Sequence, residues 1–292
     1  LKWLDQHYTK WYNEHLTFEG KIMTELTTDT GSTIDEIAAA LGAANTKSGT
    51  TKIPSLKINS KGEDDNGNQI PLGAFFLNTP SGRVYAKDGV RLRAFSNHIQ
   101  YQHWGSDNNL VNKSVLMRNN KEEALDQLGG IMCGMPTYEQ SMQMSEEERK
   151  QYNGRDRFRI IRAVVSYTGK TAEGEEVTIT NEPCKLELKR KNYGPFFHDV
   201  TSKMGDKKIF EFECILRGEK LKNPAGMPYY KIRFDPQFHK PLEMDQDTSD
   251  SIQAVAHMVH AENARIVEMY KTAGQDDAIN SIDSSLEKDL VG

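Results

Sequence analysis

The sequence predicts an α+β, β-rich fold, in which a core of short antiparallel strands makes a barrel or sandwich, with an N-terminal helical segment before it and a long C-terminal helix after it. Three observations predict this. Between residues 53 and 234, short runs of alternating apolar and polar residues are separated by Gly, Asn, Asp and Pro, as in half-buried strands joined by turns. Most of these runs have no helix-length segment between them, which argues against a parallel βαβ sheet. Near the C-terminus, Ile252, Val255, Ala256, Val259, Ile266, Val267 and Tyr270 recur close to the helical period, so the chain ends in a different texture from its middle.

The elements follow in order. Residues 1–50 form a helical segment and linker. Trp3, Leu4, Trp11, Tyr12 and Leu16 fall on one helical face that can dock on the body or on a second copy in a homo-oligomer. Ser32, with Asp35 three residues on, caps a short helix through Ile34, Ile37, Ala38 and Leu41 that Gly42 ends. Residues 43–52, rich in Ala, Gly, Ser, Thr and Asn, read as a linker. The β-rich core occupies residues 51–240. Strands are expected at 55–59, 73–77, 83–86, 90–95, 99–104 and 113–117, with an acidic turn at 62–67. A short helix is expected at 121–128, stopped by Gly129-Gly130, and a polar loop at 137–154. Strands resume at 157–167, 176–180, 184–188, 208–217 and 229–234. Residues 241–292 hold the long helix, expected at about 249–272 and ended by Gly274, and a tail from 275 that is expected to be mobile.

Composition narrows the function classes. A chain of 292 residues is long enough to bury about 75% of its unfolded surface without staples. Its 27% charged residues and mean hydropathy of −0.68 are polar for a globular protein but short of a disordered composition. No run approaches the roughly 18 uncharged apolar residues of a membrane span. Leu1-Lys2-Trp3-Leu4-Asp5 opens neither a long apolar stretch nor a cleavage site, so secretion is not expected. The three cysteines, Cys133, Cys184 and Cys214, are odd in number and far apart. A disulfide framework and a Cys-x-x-Cys site are therefore excluded, and a reducing, cytoplasmic setting is expected.

Charge is partitioned along the chain. Residues 83–240 hold 27 Lys+Arg against 21 Asp+Glu, whereas residues 241–292 hold 3 against 11. A basic middle with an acidic end suits a polyanion-binding body whose tail competes for the same surface.

Enzyme signatures fail on spacing. Gly169-Lys170-Thr171 looks like the end of a phosphate loop, but Val164 stands where its first glycine is needed. Asp64-Asp65-Asn66-Gly67-Asn68 lacks the sixth-position glycine and twelfth-position glutamate of a calcium loop. His257 and His260 offer two ligands on what reads as a solvated helix face. Glu187-Leu188-Lys189 has a nuclease-like spacing without a well-placed upstream aspartate. No nucleophile elbow or cysteine–histidine context is present. Catalytic residues, metal ligands and a cofactor are not expected.

What recurs is a cation within one or two positions of a ring, in Arg83-Val84-Tyr85, Arg91-Leu92-Arg93-Ala94-Phe95, Arg155-Asp156-Arg157-Phe158-Arg159, Lys189-Arg190-Lys191-Asn192-Tyr193 and Tyr229-Tyr230-Lys231-Ile232-Arg233-Phe234. On a strand, Arg91, Arg93 and Phe95 share a face, as do Tyr229, Lys231 and Arg233. Rings stack bases at about 1–3 kcal/mol each while cations neutralise phosphates, which is the chemistry of a single-strand path. The expected path is Arg91, Arg93, Phe95, Tyr101, Trp104, Arg157, Arg159, Tyr229, Lys231 and Arg233, with Phe158, Phe212 and Phe234 in the core. No helix-turn-helix, zinc finger or basic helix is available to enter a duplex groove.

Several segments also resemble one family. Lys52-Ile53-Pro54-Ser55-Leu56-Lys57-Ile58-Asn59, Gly73-Ala74-Phe75-Phe76 and Val90-Arg91-Leu92-Arg93-Ala94-Phe95 are similar to the opening of phage single-stranded-DNA-binding replication proteins. Asn112-Lys113-Ser114, the run from Glu122 to Gly130, Cys133-Gly134 and Ala261-Glu262-Asn263-Ala264-Arg265-Ile266 extend the resemblance to about residue 272. It implies an OB-fold barrel that coats single strands during viral DNA replication in the host cytoplasm. It also implies that the acidic tail recruits polymerase, primase or helicase. The rival expectation is a virion or scaffold component.

Overall fold

The computed structural model describes residues 53–63, 67–79 and 82–290, with 275–290 as backbone only. All of them fall in the compact unit Lys52–Gly292. The helices expected within residues 1–50, and the tip of the acidic turn at 64–66, lie outside the described residues. Of that turn, the flanks Glu63 and Gln69 form an antiparallel bridge.

One antiparallel sheet carries the fold. Its strands are β1 (Lys57–Ile58), β2 (Phe75–Thr79), β3 (Gly82–Ala86), β4 (Val90–Trp104), β5 (Leu110–Lys113), β6 (Arg155–Lys170), β7 (Glu176–Lys189), β8 (Cys214–Lys222) and β9 (Pro228–Pro236). They follow the order β1-β2-β3-β6-β4-β8-β9, with β5 paired to β4 and β7 paired to β6. The path is open. A parallel bridge between Ser55 and Lys185 ties the residues before β1 to β7, through Leu56 N–H to Lys185 C=O and Lys185 N–H to Pro54 C=O, both 2.9 Å.

Two of the long strands join runs expected to be separate. In β4, the expected strands 90–95 and 99–104 are one, because the polar residues between them continue the ladder with β6. A bulge between Ala94 and Ser96 leaves Phe95 without a partner in that ladder and bends the strand. β7 likewise unites 176–180 with 184–188, its register shifting between Val165 and Tyr167 of the partner strand, where Asn181 takes φ 48°. β8 starts at Cys214 rather than 208. Residues 208–211 turn instead, held by Lys208 N–H to a Glu211 carboxylate oxygen and Glu211 N–H to Lys208 C=O, each 3.0 Å.

Three helical expectations are corrected. Residues 121–128 form no helix; a narrow turn replaces it, with bridges Ser114 to Asp126 and Leu125 to Ile131. The buried Asp126 carboxylate organises this turn by accepting the N–H groups of Leu128 and Gly130 at 3.1 Å and of Cys133 at 2.9 Å. The 137–154 loop contains α1 (Tyr138–Gln143) and α2 (Glu146–Lys150), opened by reciprocal capping boxes, Thr137 with Gln140 and Ser145 with Glu148. The last helix, α3 (Gln246–Leu290), runs through Gly274. A glycine there costs about 1 kcal/mol against alanine, which a 45-residue helix absorbs.

The main core lies on one face of the sheet. Leu77, Val84, Leu92, Ile161, Leu186, Leu188 and Leu216 meet there with Phe196, Phe212 and Phe234. Phe158 is also buried, in a smaller cluster with Leu116 and Ile160 on the other side of β6.

Helix α3 fills a gap in the sheet. The outer edge of β4 pairs with β8 over Val90 to Leu92 and with β5 from Gln102, leaving the residues between to find other partners. Arg93 reaches from that gap to the helix start, donating to Phe210 C=O (2.8 Å), Thr248 Oγ1 (2.9 Å) and Glu243 C=O (2.9 Å). Further along, the Asn263 side chain accepts from Leu116 N–H (2.7 Å) and donates to Leu116 C=O (2.9 Å), standing in for one residue of a neighbouring strand. Ile266 then packs with Ile99, Val115 and Met117, and Val259 against Leu116, Phe158 and Ile160.

Between these anchors lies a polar knot. Glu262 accepts from Lys113 Nζ (2.7 Å), Gln100 Nε2 (3.2 Å) and Arg162 (2.7 Å). Beside it, burial and then the Arg162 cation push the His98 imidazole down to about 4, against the opposing pull of Glu122 and Glu262. A folded-state value below the ordinary 6.5 means that His98 binds its proton more readily in the unfolded chain. Its contribution is complete above about pH 6.5 and is lost as pH falls towards 4. We expect an acid-induced loss on the order of 2 kcal/mol across that window, allowing for the part of the ring that water reaches. His98→Gln should flatten this part of the stability-against-pH curve in urea melts, and an unchanged slope in the variant counts against the assignment.

Candidate functional site

Of the ten path residues, some are engaged in holding the fold, some gather at one end of the sheet, and Arg91, Phe95 and Trp104 stand apart from both groups. Arg93 is committed to the helix junction, and burial pulls its guanidinium below the ordinary arginine range. Arg159 is 7% exposed and donates to Tyr193 C=O (3.2 Å) and Asn97 Oδ1 (2.8 Å). Arg233 points outward from β9 but is bound to Glu219 at 2.6 Å. Arg91 is exposed on β4, and Phe95 is half-buried at the bulge.

The gathering centres on the turn after β7. Residues 190–192 make a tight 3₁₀ turn, with Arg190 at φ 50°, a left-handed conformation unusual for a residue with a side chain. The turn presents Lys189, Arg190 and Lys191 to solvent. Asn192 fastens it to β9 by accepting Ile232 N–H at 2.9 Å. Tyr193 follows, and its ring carries two guanidinium groups, Arg157 at 4.3 Å and Arg159 at 4.9 Å from the centroid. On the turn's other side, Lys191 Nζ lies 3.8 Å from the centre of the Tyr229 ring. Tyr101 pairs across the ladder with Arg157, and Lys231 stands two residues beyond Tyr229 on the same face of β9. Cation–ring contacts of this kind contribute about 0.5–1 kcal/mol at exposed sites.

Burial raises the Tyr193 hydroxyl while Arg157 and Arg159 pull it back, with a net upward shift. That hydroxyl is buried without a protein hydrogen-bond partner. Buried polar groups are normally paired, so it is a group in need of a ligand or water. Tyr193 and Lys191 were absent from the expected path although their run carried the same cation–ring signal. Their partners, 34 to 38 residues away in sequence on β6 and β9, are what distinguish them.

Trp104 lies round the corner. It packs against Leu116, Phe158 and Ile160, and it lines a groove of about 570 Å³ together with Lys57, Asn108, Phe158, Lys189 and Arg190.

Other chemistry is weakly supported. Among the described residues, no group of three or more His, Cys, Asp or Glu is placed to hold a metal ion. His257 and His260 are both exposed on α3. The three cysteines are buried and free. Burial raises all three thiols, Cys133 and Cys214 to about 12, the opposite of an activated nucleophile. Among the described residues, no helix is long and apolar enough to cross a membrane.

Compared with protein-family models, with curated proteins and with solved structures, the chain matches none.

Proposed function

We propose that the chain is a sequence-independent single-stranded-DNA-binding protein acting in DNA replication or recombination. The observation that carries this reading is the pair of cation–ring stacks, Arg157 on Tyr193 and Lys191 on Tyr229, on either side of the basic turn Lys189-Arg190-Lys191. Each stack sets a ring beside a charge, the two kinds of group that a base and its phosphate need. The path uses Tyr101, Arg157, Lys191, Tyr193, Tyr229 and Lys231, with Trp104 and Arg91 as its outlying members. Arg159, beside the Tyr193 ring, supports it from beneath, whereas Arg93, Phe95 and Arg233 stand outside it.

An OB-like barrel belongs to the same reading. Ladders link β1, β2, β3, β6 and β7 in succession, and the Ser55–Lys185 bridge brings the first back to the last. The acidic tail from residue 275 competes with the strand and offers replication proteins such as polymerase, primase or helicase a docking segment.

The test is fluorescence anisotropy with labelled single-stranded and duplex oligonucleotides of equal length, at about 50 and about 200 mM salt. We expect tight binding to the single strand, weakening steeply with salt, and little affinity for the duplex. Equal affinity for both, or none at the lower salt with residues 275–292 removed, overturns the reading. One feature favours the rival, an assembly component: Leu128 and Ile131 are 60% and 47% exposed, near Met269, whose sulfur accepts from Gln127 Nε2 at 3.5 Å. Particles in light scattering, without DNA affinity, would support it.

A further inference from the structure

We propose that the groove beside Trp104 is a nucleotide-insertion pocket, in which one residue of a bound single strand leaves the stack and buries its base. This rests on the single-strand reading above and names a second, separate contact for it. The cation–ring stacks lie on the Arg157 side of β6, whereas Phe158 and the groove lie on the opposite side, since neighbouring residues of a strand face opposite ways. A strand crossing the turn at Lys189-Arg190-Lys191 passes from one side to the other.

Size and lining fit one nucleotide. The groove holds about 570 Å³, within the roughly 300–1,000 Å³ of small-ligand sites. Trp104 and Phe158 supply aromatic surface, and Lys57, Lys189 and Arg190 supply positive charge. The cations are held in place. Asp156 accepts from Lys189 Nζ at 3.1 Å and from Arg190 Nε at 3.0 Å, and Lys189 Nζ lies 5.1 Å from the centre of the Phe158 ring. The lining sets Lys57, Lys189 and Arg190 against Asp156 and Glu187, and Glu187 is itself paired with Lys185 at 3.0 Å, which leaves a net positive charge for a phosphate. Asn192 gives its carbonyl oxygen to Ile232 N–H, which leaves its –NH₂ as the donor for a base carbonyl.

The tryptophan is pre-oriented through a relay. Trp104 Nε1 donates to Gln102 Oε1 (3.1 Å), Gln102 Nε2 to Gln100 Oε1 (2.9 Å), and Gln100 Nε2 to Ser114 C=O (2.9 Å) and Glu262 (3.2 Å). Two glutamines 3% exposed on this face are costly unless paired. Here they fix the indole before any ligand arrives, which lowers the ordering cost of binding.

The experiment uses the full chain and a short oligothymidylate carrying a single photoreactive 5-iodouracil at successive positions. One position is expected to cross-link to Trp104, with the others reaching Tyr193 or Tyr229. Trp104→Ala should weaken binding roughly tenfold with the salt slope unchanged, as loss of one stacked base does, and Trp104→Phe should restore most of it. Because the indole also packs on Phe158, the exposed pair Lys189→Gln with Arg190→Gln tests the same pocket without touching the core. It should abolish the Trp104 cross-link while those to Tyr193 and Tyr229 persist. If the parent binds oligothymidylate but both sets of variants bind and cross-link like it, the pocket is wrong and the single-strand reading stands. If the parent binds no oligonucleotide, both fall.

Discussion

Glu262→Ala is expected to lower the unfolding free energy by about 3–5 kcal/mol, the cost of removing one partner from a buried ion pair and leaving the other uncompensated. The stranded partner is Arg162. It is 5% exposed; among the described residues its guanidinium bonds Glu262, and its Nε and second terminal nitrogen have no partner. Burial alone raises the Glu262 carboxyl, but Lys113, Arg162 and the Gln100 hydrogen bond outweigh it and hold the group below the usual carboxylate range. A folded-state value below the unfolded one places the stabilisation above about pH 4.3. It disappears as pH falls through the lower, folded-state value. Urea denaturation at neutral pH should therefore separate parent and variant widely, and the two should converge in acid. The pair Arg162→Met with Glu262→Leu should recover much of the loss, since an apolar replacement of both ends removes the stranded charge. A loss under 1 kcal/mol for Glu262→Ala would mean that the Arg93 junction, Asn263, Val259 and Ile266 hold α3 without it.

The same knot shows where sequence reading stops. The alternation that identified β6 and β9 is local, and Phe158 and Phe234, expected in the core, are buried there because a strand's own pleat decides which residues share a face. Arg93 and Arg159 obey that alternation too, yet their guanidinium groups end on partners supplied by the tertiary fold. Arg93 bonds Thr248, 155 residues later, and Arg162 bonds Glu262, 100 residues later. Nothing in a single run tells a cation aimed at solvent from one aimed at a helix that fills a gap in the sheet edge. Short-range chemistry was readable but outweighed. Thr137 with Gln140 and Ser145 with Glu148 are capping-box spacings, but α1 and α2 have no buried residue, so no apolar stripe marked them. Conversely, the Glu122 to Leu128 run has helical composition, and the buried Asp126 carboxylate turns it by binding three backbone N–H groups. Of the candidate site, the basic turn and its aromatic neighbours were visible as residue types. Which ring carries which cation depends on β6, β7 and β9 meeting, and that follows only from the topology.

Replacing Arg157, Lys191 and Lys231 together by glutamine is expected to cut single-strand affinity roughly 100-fold at about 0.1 M salt, and to make the plot of log affinity against log salt shallower by about 2. Each neutralised phosphate contributes about 0.7 to that slope on single strands, so at about 0.1 M salt each lost contact costs roughly fivefold, and three multiply. The fold should survive. None of the three is in the main core, and glutamine keeps the first two methylenes of each stem. The pattern separates charge from stacking. Tyr193→Leu with Tyr229→Leu should weaken binding by a comparable factor at about 1–3 kcal/mol per lost stack, yet leave the slope intact. Parent-like slopes in the glutamine variant would move the phosphate path off this face, to the exposed cations of β4 and β8. A changed slope in the leucine variant would mean that the rings act by positioning Arg157 and Lys191 rather than by stacking bases. The acidic tail enters the same arithmetic with opposite sign. With the three cations gone it has less to compete for, so removing residues 275–292 should tighten binding in the parent and have little effect in the glutamine variant.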